Sequence, residues 1–374
     1  MFKNPDSVRE AVRAFKPYAP GLSIDEIAEK YGLSRVIKMA SNENPLGMSP
    51  LAVEAIQRAA AEGFRYAQSG NPRLARAVAE YHGVDVSQVV LGNGSDEVID
   101  LLVRCRAEAG RDNIVVNRPC FSLYPMQTKL CGVELREVPL NADFSFNWQG
   151  LLEQTDGNTA LVFITTPDNP TGYCPPVAEV EDFAKNIAAK APGALLVVDE
   201  AYMDLSGDEK AHSLLPKLNS FPNVAILRTF SKSFGLAGLR IGYGIMPANL
   251  ADYLCRVRLP FSVNLMAEAA GIAALQDKEF LRLTKETVAS GRVVLSDGLH
   301  ALGCRPVPSQ ANFLIFRLPE DCKLDTEQVF TALLERGVII RQVKSYGLPD
   351  YLRVSVGNPD ENRVFLKELA EILN

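Results

Sequence analysis

The chain has 374 residues, of which 47% are hydrophobic and 22% are charged. This length is sufficient for two domains, and the composition is that of a globular protein rather than a disordered one. The 39 basic and 45 acidic residues give a net charge of −6, and no dense basic stretch occurs, so we expect neither nucleic acid nor a membrane as the main partner.

Cysteine and histidine usage predicts a cytoplasmic protein without a metal site. The seven cysteines are widely spaced and form no CxxC motif, a pattern typical of reduced thiols. No segment is long and apolar enough to span a bilayer, and the amino-terminal segment lacks the apolar region of a signal peptide. The three histidines lie far apart in the sequence, which gives little support to a metal centre.

From residue 88 to residue 246, apolar runs alternate with amphipathic stretches, after an amphipathic helix predicted over 23–31. The strand-like segments are 88–92, 113–117, 133–140, 160–167, 194–202, 224–232 and 239–246. The helices predicted between them are 95–110, 121–132 and 177–190. Continuous apolar strands separated by helices are typical of a mostly parallel sheet covered on both faces.

The pattern changes after residue 249. Helices are predicted over 250–258, 264–301, 326–336 and 360–373, and strands over 311–318, 337–341 and 351–357. This mixture predicts a smaller α+β domain. We therefore expect a large domain over 40–260, and a small domain that combines 1–39, including an amino-terminal arm, with 261–374.

The segment TFSKSFGLAGLR (229–240) offers the first candidate site. Lys232 follows an apolar strand and lies between two serines. Either Lys232 is an ordinary lysine at the start of a surface helix, or its amine forms an imine with a carbonyl cofactor. Ser231 and Arg240 would suit a phosphate on such a cofactor, through a hydroxyl and a planar fork of donors.

A second candidate is VVDEAYMDL (197–205), in which Asp199 directly follows an apolar run. Acidic residues at the carboxyl end of a parallel strand lie where α/β proteins bind ligands. Asp199 is either a solvated turn residue or a carboxylate that keeps a pyridine nitrogen protonated. A protonated pyridine is an electron sink.

Two loops add a donor and an anion site. In ITTPDNPTGY (164–173), Asn169 serves the turn or donates to a phenolate oxygen on a cofactor ring. In LGNGSDEVIDLL (91–102), Ser95 and Asp96 open a helix after two glycines. Such a turn is ordinary helix capping, or it presents backbone N–H groups to a phosphate. The four segments together supply the groups that a pyridoxal phosphate site requires.

Motifs along most of the chain carry a family resemblance. They are PYAPG (17–21), SNENPLG (41–47), RYAQSGNPRL (65–74), GNGSDE (92–97), TPDNPTG (166–172), VVDEAY (197–202), TFSKSFGLAGLR (229–240), ERGVIIR (335–341) and YLRVSVG (351–357). With these motifs the chain resembles fold-type I pyridoxal-phosphate enzymes of the aspartate aminotransferase superfamily. More narrowly, it resembles the histidinol-phosphate aminotransferases.

The resemblance implies roles for individual residues. The implied catalytic residues are Lys232, Asp199 and Tyr202. The implied cofactor-binding residues are Ser95, Asp96, Phe121, Asn169, Asp199, Tyr202, Ser231, Lys232 and Arg240, together with Tyr66 reaching across a homodimer interface. The implied substrate-binding residues are Tyr18, Asn42, Arg341 and Arg353. Phe121 stands where the family often has a tyrosine, and Tyr66 lacks the proline and acidic residue that usually follow it.

The implied reaction moves an amino group between histidinol phosphate and 2-oxoglutarate, in histidine biosynthesis. Two related functions on the same scaffold stay open: an aromatic amino-acid aminotransferase, which needs no phosphate contact, and a phosphothreonine decarboxylase, which needs no keto acid. From another class, a non-catalytic regulator that binds the cofactor as a signal would usually add a DNA-binding domain, and the chain has no extra basic module.

Overall fold

The structure is a computed structural model that describes residues 7–13, 15 and 22–373. Tyr18 and the motif at 17–21 lie outside the described residues. The strands are β1 (Ile37–Lys38), β2 (Val89–Asn93), β3 (Asn113–Arg118), β4 (Glu134–Pro139), β5 (Thr159–Thr165), β6 (Leu195–Asp199), β7 (Val224–Thr229), β8 (Ile241–Ile245), β9 (Arg305–Pro306), β10 (Phe313–Arg317), β11 (Val338–Ile339), β12 (Arg341–Gln342) and β13 (Tyr351–Ser355).

The helices cover both sheets. They are α1 (Glu10–Arg13), α2 (Ile24–Tyr31), α3 (Pro50–Ala59), α4 (Pro72–His82), α5 (Ser95–Arg106), α6 (Leu123–Leu130), α7 (Trp148–Gln154), α8 (Val177–Lys190), α9 (Glu209–His212), α10 (Ala248–Val257), α11 (Leu265–Gln276), α12 (Lys278–Ala301), α13 (Thr326–Glu335) and α14 (Pro359–Leu373). None of the helices in the described part of the chain combines the length and the apolar character that a membrane span requires.

The large sheet has seven strands in the order β2-β8-β7-β6-β5-β3-β4. Only β8 runs antiparallel to its neighbours in this sheet of described strands. β5, β6, β7 and β8 are buried along their whole length, and one apolar cluster covers each face. Burial on both faces explains the unbroken apolar runs of the sequence. The predicted mostly parallel α/β sheet is confirmed.

A second, smaller sheet has the order β12-β13-β10-β9 and is antiparallel throughout. β1 pairs with β11 in a separate parallel pair. The core of this part contains Leu295 and Leu299 from α12, whereas Ala267 and Leu275 of α11 pack in the core of the large sheet. The domain division at residue 260 stays a prediction, and the change from one core to the other falls within α12.

Several helix boundaries differ from those predicted. The helix predicted over 95–110 ends at Arg106, because residues 107–111 form a turn in which the Asp112 carboxylate accepts from the backbone N–H of Glu108. The segment 264–301 contains two helices, since the Asp277 carboxylate caps α12 by accepting from the N–H of Phe280 at 3.0 Å. Helices α3, α4 and α7 were not predicted.

A buried ion network joins the loops that follow β6 and β7. Arg228, on β7, is 1% exposed, and its guanidinium lies 2.6 Å from Glu200, 2.8 Å from Asp204 and 3.0 Å from Glu209. Ser233 Oγ donates to the other carboxylate oxygen of Asp204 at 2.6 Å. One cation therefore holds both loops, and its removal would leave carboxylates buried without a counter-charge.

We predict that Arg228→Met lowers the stability of the folded protein by ~3–5 kcal/mol, because Glu200 and Asp204 lose their buried partner. The matched control is Arg282→Met, since Arg282 also contacts two carboxylates, those of Glu279 and Glu286, but on the exposed surface. The midpoint of thermal unfolding measures both. Equal midpoints for the two variants would contradict a stabilising role of the network.

Candidate active site

A cavity of about 260 Å³ opens at the carboxyl ends of the central parallel strands. Thr165, Asp199 and Thr229, the last residues of β5, β6 and β7, all line it. The predicted site residues that line this cavity are Ser95, Asp96, Phe121, Asn169, Asp199, Tyr202, Ser231, Lys232 and Arg240. Parallel strands bring these distant segments to one edge of the sheet, which is where α/β proteins bind ligands.

Lys232 lies three residues beyond β7 and extends its amine into the cavity. Its Nζ donates to the backbone oxygen of Ser41 at 3.3 Å and lies 5.7 Å from the centre of the Tyr202 ring. Burial, assisted by the positive charge of Arg353, lowers the pKa of Lys232 to about 8. Part of the lysine is therefore an uncharged amine near neutral pH, which is the form that acts as nucleophile or base.

Asp199 is buried beneath the cavity at the end of β6. Its Oδ2 accepts from the Tyr124 hydroxyl at 2.7 Å, and its Oδ1 accepts from the backbone N–H of Ala201 at 3.1 Å. Burial raises the pKa of Asp199 to about 6, while the hydrogen bond from Tyr124 lowers it. A buried carboxylate at this position is suited to stabilise a protonated ring nitrogen.

Two residues of the cavity wall are oriented by side chains from other parts of the chain. Arg353, on β13, donates through Nη1 to Asn169 Oδ1 at 2.7 Å, so the Asn169 amide N–H groups remain available to the cavity. Asn42 donates through Nδ2 to the Tyr202 hydroxyl oxygen at 3.0 Å, which leaves the Tyr202 O–H to donate. Burial raises the pKa of Tyr202 to about 12, so the phenol keeps its proton near neutral pH.

The other end of the cavity is built for an anion. Helix α5 begins at Ser95, and no side chain among the described residues caps its first turn, so backbone N–H groups and the positive end of the helix dipole face an incoming group. Arg240 Nη2 lies 2.8 Å from Asp96 Oδ2. A Cβ on Gly94 would lie 2.6 Å from Arg240 Nη2, and one on Gly242 would lie 2.1 Å from Ser95 N. Gly94 and Gly242 therefore permit the close approach of the Arg240 guanidinium and of the Ser95 backbone N–H.

Two further predicted residues, Tyr66 and Arg341, are described by the structure but do not line the cavity. Tyr66 is 81% exposed and stacks on Phe261, with ring centroids 4.5 Å apart. Arg341 is half-buried on β12, where it is the cross-strand partner of Arg353 on β13. Tyr18 lies outside the described residues.

Sequence reasoning missed several residues of the site. Tyr124 lies three residues after Phe121 within the helix predicted over 121–132, so that spacing was a usable signal. Thr165 ends β5, and its place at a strand end was another. Ser41 and Glu43 also line the cavity. They lie inside a quoted motif, but nothing in their spacing from the other segments places them at this sheet edge.

The chain is similar to known aminotransferases over most of its length. Residues 34–369 match the family model described as "Aminotransferase class I and II". A histidinol-phosphate aminotransferase of Nitratidesulfovibrio vulgaris is 59% identical over 369 residues, which cover 99% of this chain and 97% of that protein. The histidinol-phosphate aminotransferase of Sinorhizobium meliloti, solved in complex with pyridoxal-5'-phosphate, aligns with a TM-score of 0.87 and 28% identity over 98% of this chain and 97% of that one. An aspartate aminotransferase of Thermus thermophilus shares the fold, with a TM-score of 0.83 and 23% identity over 98% of this chain and 99% of that one.

We predict that in cofactor-free protein the Lys232 amine titrates near pH 8 instead of 10.5. The rate of its modification by trinitrobenzenesulfonate, followed by peptide mass spectrometry, should rise about tenfold per pH unit and level off above that midpoint, since only the neutral amine reacts. Arg353→Gln removes a charge that lowers the pKa and should move the midpoint up. Glu43→Gln removes a charge that raises it and should move the midpoint down. Shifts in the same direction would contradict this electrostatic account.

Proposed function

Since this chain belongs to the class I and II aminotransferase family, we propose that it transfers an amino group between histidinol phosphate and 2-oxoglutarate, giving imidazole-acetol phosphate and glutamate. The chain is a pyridoxal-phosphate-dependent transaminase, as its family match and its relatives indicate. The observation that carries the choice of substrate is a pair of arginines on adjacent strands, Arg341 and Arg353, of which Arg353 contacts Asn169 in the cavity wall. Relatives named histidinol-phosphate aminotransferases support the same choice.

The residues of the cavity fit pyridoxal phosphate at each of its functional groups. Lys232 supplies an amine for the aldehyde, and Asp199 supplies a buried carboxylate for the ring nitrogen. The phosphate fits the first turn of α5, where the glycine at position 94 leaves room that a Cβ would fill, and Arg240 and Ser231 line the same cavity. We propose these as the cofactor-binding residues, with Asn169 and Tyr202 at the phenolic oxygen and Phe121 against the ring.

Side chains of the cavity would hold the proton of the ring nitrogen and move the proton of the substrate Cα. When bound, the cofactor supplies an aldehyde that carries the amino group and a cationic ring that accepts the electron pair released at the substrate Cα. Asp199 holds the ring nitrogen protonated. The neutral Lys232 amine would take the proton from the substrate Cα and would deliver it to the carbon of the cofactor's aldehyde group. Asn169 and Tyr202 donate hydrogen bonds to the phenolic oxygen.

The arginine pair explains how one site would take two kinds of anion. Arg341 and Arg353 are cross-strand partners, so both arginines lie on one face of the small sheet. Guanidinium groups bind phosphates and carboxylates bidentately. The pair therefore suits the phosphate of histidinol phosphate in one half-reaction and the carboxylates of glutamate in the other.

A homodimer is part of the proposal. Phe64, Tyr66, Leu259 and Phe261 are all more than 40% exposed, and Tyr66 and Phe261 stack on each other in one patch. Exposed aromatic and aliphatic side chains of this kind mark protein interfaces. A second copy of the chain would cover the patch, and Tyr66 of each copy would then donate to the cofactor phosphate in the other copy.

A cytoplasmic location is also proposed. All seven cysteines lie in the described part of the chain and none is in a disulfide there, which supports a reducing compartment.

We predict that histidinol phosphate, added without a keto acid, converts the absorbance band of the holoenzyme to that of the amine form. The wild type should prefer histidinol phosphate to unphosphorylated histidinol by ~10–100-fold in kcat/KM, because the arginine fork makes charge-assisted hydrogen bonds to the phosphate. Arg341→Gln should abolish most of that preference and should also slow the reaction with glutamate. Arg317→Gln, which alters an exposed arginine of the same sheet, is the control and should change neither.

Other outcomes of this experiment identify the alternative functions. Faster conversion by phenylalanine than by histidinol phosphate would assign the chain to aromatic amino acids. Release of carbon dioxide from phosphothreonine without a keto acid would indicate a decarboxylase. A protein that shows no cofactor band after addition of pyridoxal phosphate would contradict the transaminase itself.

We predict that Tyr66 acts on the site of the partner subunit. Tyr66→Phe should weaken binding of pyridoxal phosphate by ~10-fold, as expected for the loss of one hydrogen bond to a charged group. A mixed dimer of one Lys232→Ala chain and one Tyr66→Phe chain should then contain one site with wild-type affinity, since that site combines an intact Lys232 with an intact Tyr66.

The mixed dimer distinguishes the two arrangements. If Tyr66 served the cavity of its own chain, the intact Lys232 would always be paired with the phenylalanine, and no wild-type site would form. Tyr253→Phe, which alters another exposed tyrosine, is the control and should leave the affinity unchanged.

A further inference from the structure

Tyr124 is a fully buried tyrosine whose hydroxyl lies between two groups of the candidate active site. It has no exposed surface, and its Oη lies 2.7 Å from Asp199 Oδ2 and 2.7 Å from Thr165 Oγ1. Thr165 and Asp199 are register partners on β5 and β6, so the tyrosine hydroxyl spans the ends of two neighbouring strands. None of the roles described above uses this residue.

The direction of the hydrogen bonds follows from the number of hydrogens. An ionised carboxylate only accepts, so the single hydrogen of the Tyr124 hydroxyl goes to Asp199. Thr165 must then donate to the Tyr124 oxygen. The result is a chain of hydrogen bonds from Thr165 through Tyr124 to Asp199, in which each bond polarises the next.

The ring of Tyr124 is held as firmly as its hydroxyl. It stacks on Phe163 with ring centroids 4.6 Å apart and an angle of 12° between the planes, and it contacts Phe121 edge to face at 5.6 Å. Phe121 lines the cavity. The aromatic contacts therefore fix the position of the hydroxyl relative to Asp199 and relative to the wall against which the cofactor ring would lie.

We propose that Tyr124 is the positioning residue that keeps the Asp199 carboxylate ionised and oriented toward the ring nitrogen of the cofactor. The backbone N–H of Ala201 holds one carboxylate oxygen and Tyr124 holds the other, so rotation of the carboxylate would break at least one bond. Burial favours the neutral acid at this position. The hydrogen bond from Tyr124 opposes that effect and lowers the pKa of Asp199.

Other titratable groups also act on Asp199. Asp96 on α5 and Glu200 beside it both raise the pKa of Asp199, although Glu200 is itself paired with Arg228. Tyr202 faces Asp199 with a phenol whose pKa burial raises to about 12. Asp96 and Glu200 oppose ionisation of Asp199, and Tyr202 brings no positive charge near neutral pH. Among the side chains, the donor that favours the carboxylate is therefore Tyr124.

The proposal is tested with Tyr124→Phe, which keeps the ring and removes only the hydroxyl. Apoenzyme of this variant should bind pyridoxal phosphate ~10-fold more weakly than wild type, and the loss of affinity toward acidic pH should be centred ~1 pH unit higher, because one hydrogen bond to the carboxylate is missing. An analogue with a C–H group in place of the ring nitrogen does not need the carboxylate. Its affinity should be the same for both proteins.

The control variant is Tyr243→Phe. Tyr243 is also buried, and its hydroxyl lies 2.7 Å from His82 Nε2, away from the cavity. This variant should lower the unfolding midpoint without changing either affinity. Equal losses of affinity for the cofactor and the analogue in Tyr124→Phe, or no loss for either, would overturn the proposal.

The inference rests on the cofactor-binding part of the proposed function and is independent of which amine is transferred. If wild-type protein bound no pyridoxal phosphate, the proposed function would fail. If wild type bound it and Tyr124→Phe bound it equally well, only the role of Tyr124 would be wrong.

Discussion

The arrangement of the candidate active site depends on one buried guanidinium, that of Arg228. Glu200 directly follows Asp199, and Ser233 directly follows Lys232. Arg228 pairs with Glu200 and Asp204, and Asp204 in turn accepts from Ser233. The relative position of the two reactive groups is thus set by charges that do not touch the cavity. A buried ion pair of this kind adds little net stability, and its better-supported use is to specify one arrangement.

The second constraint is that side chains from other parts of the chain, including the small sheet, orient residues of the cavity wall. Arg353 of the small sheet orients Asn169, and Asn42 orients Tyr202. Asn42 is itself held by Ser355, two residues beyond Arg353 on the same strand. Hydrogen bonds therefore join Asn169 and Tyr202, in the loops that follow β5 and β6, to residues on or beside the small sheet. A substrate anion bound at Arg353 would therefore act on Asn169 through the single hydrogen bond that joins the two side chains.

The parts of the fold that could be predicted are those that the local sequence determines. β5, β6 and β7 are buried on both faces, and such strands appear as unbroken runs of Val, Ile and Leu. Helices α3 and α4 were missed because each begins at a proline after a polar residue, a pattern equally typical of turns. At the break between α11 and α12, the side chain of Asp277 caps the second helix, and composition over a long window does not reveal such a cap.

The residues of the candidate site also fall into two groups, those that the local sequence reveals and those that it does not. Asp199, Asn169 and Lys232 follow apolar strands, and a strand end is visible in one sequence. The residues that hold the site in place are not visible in the sequence. Tyr124 contacts Asp199, Arg228 contacts Glu200 and Asn42 contacts Tyr202, each through a tertiary contact across a long sequence separation.

Burial shifts the pKa values of the two reactive groups in opposite directions. It disfavours the charged form of each group, so it raises the pKa of Asp199 to about 6 and lowers that of Lys232 to about 8. In water the same two groups would titrate more than six units apart. In the cavity the two pKa values lie on either side of neutral pH. Asp199 stays mostly ionised there while part of Lys232 is neutral, which is the pair of states that the proposed chemistry requires.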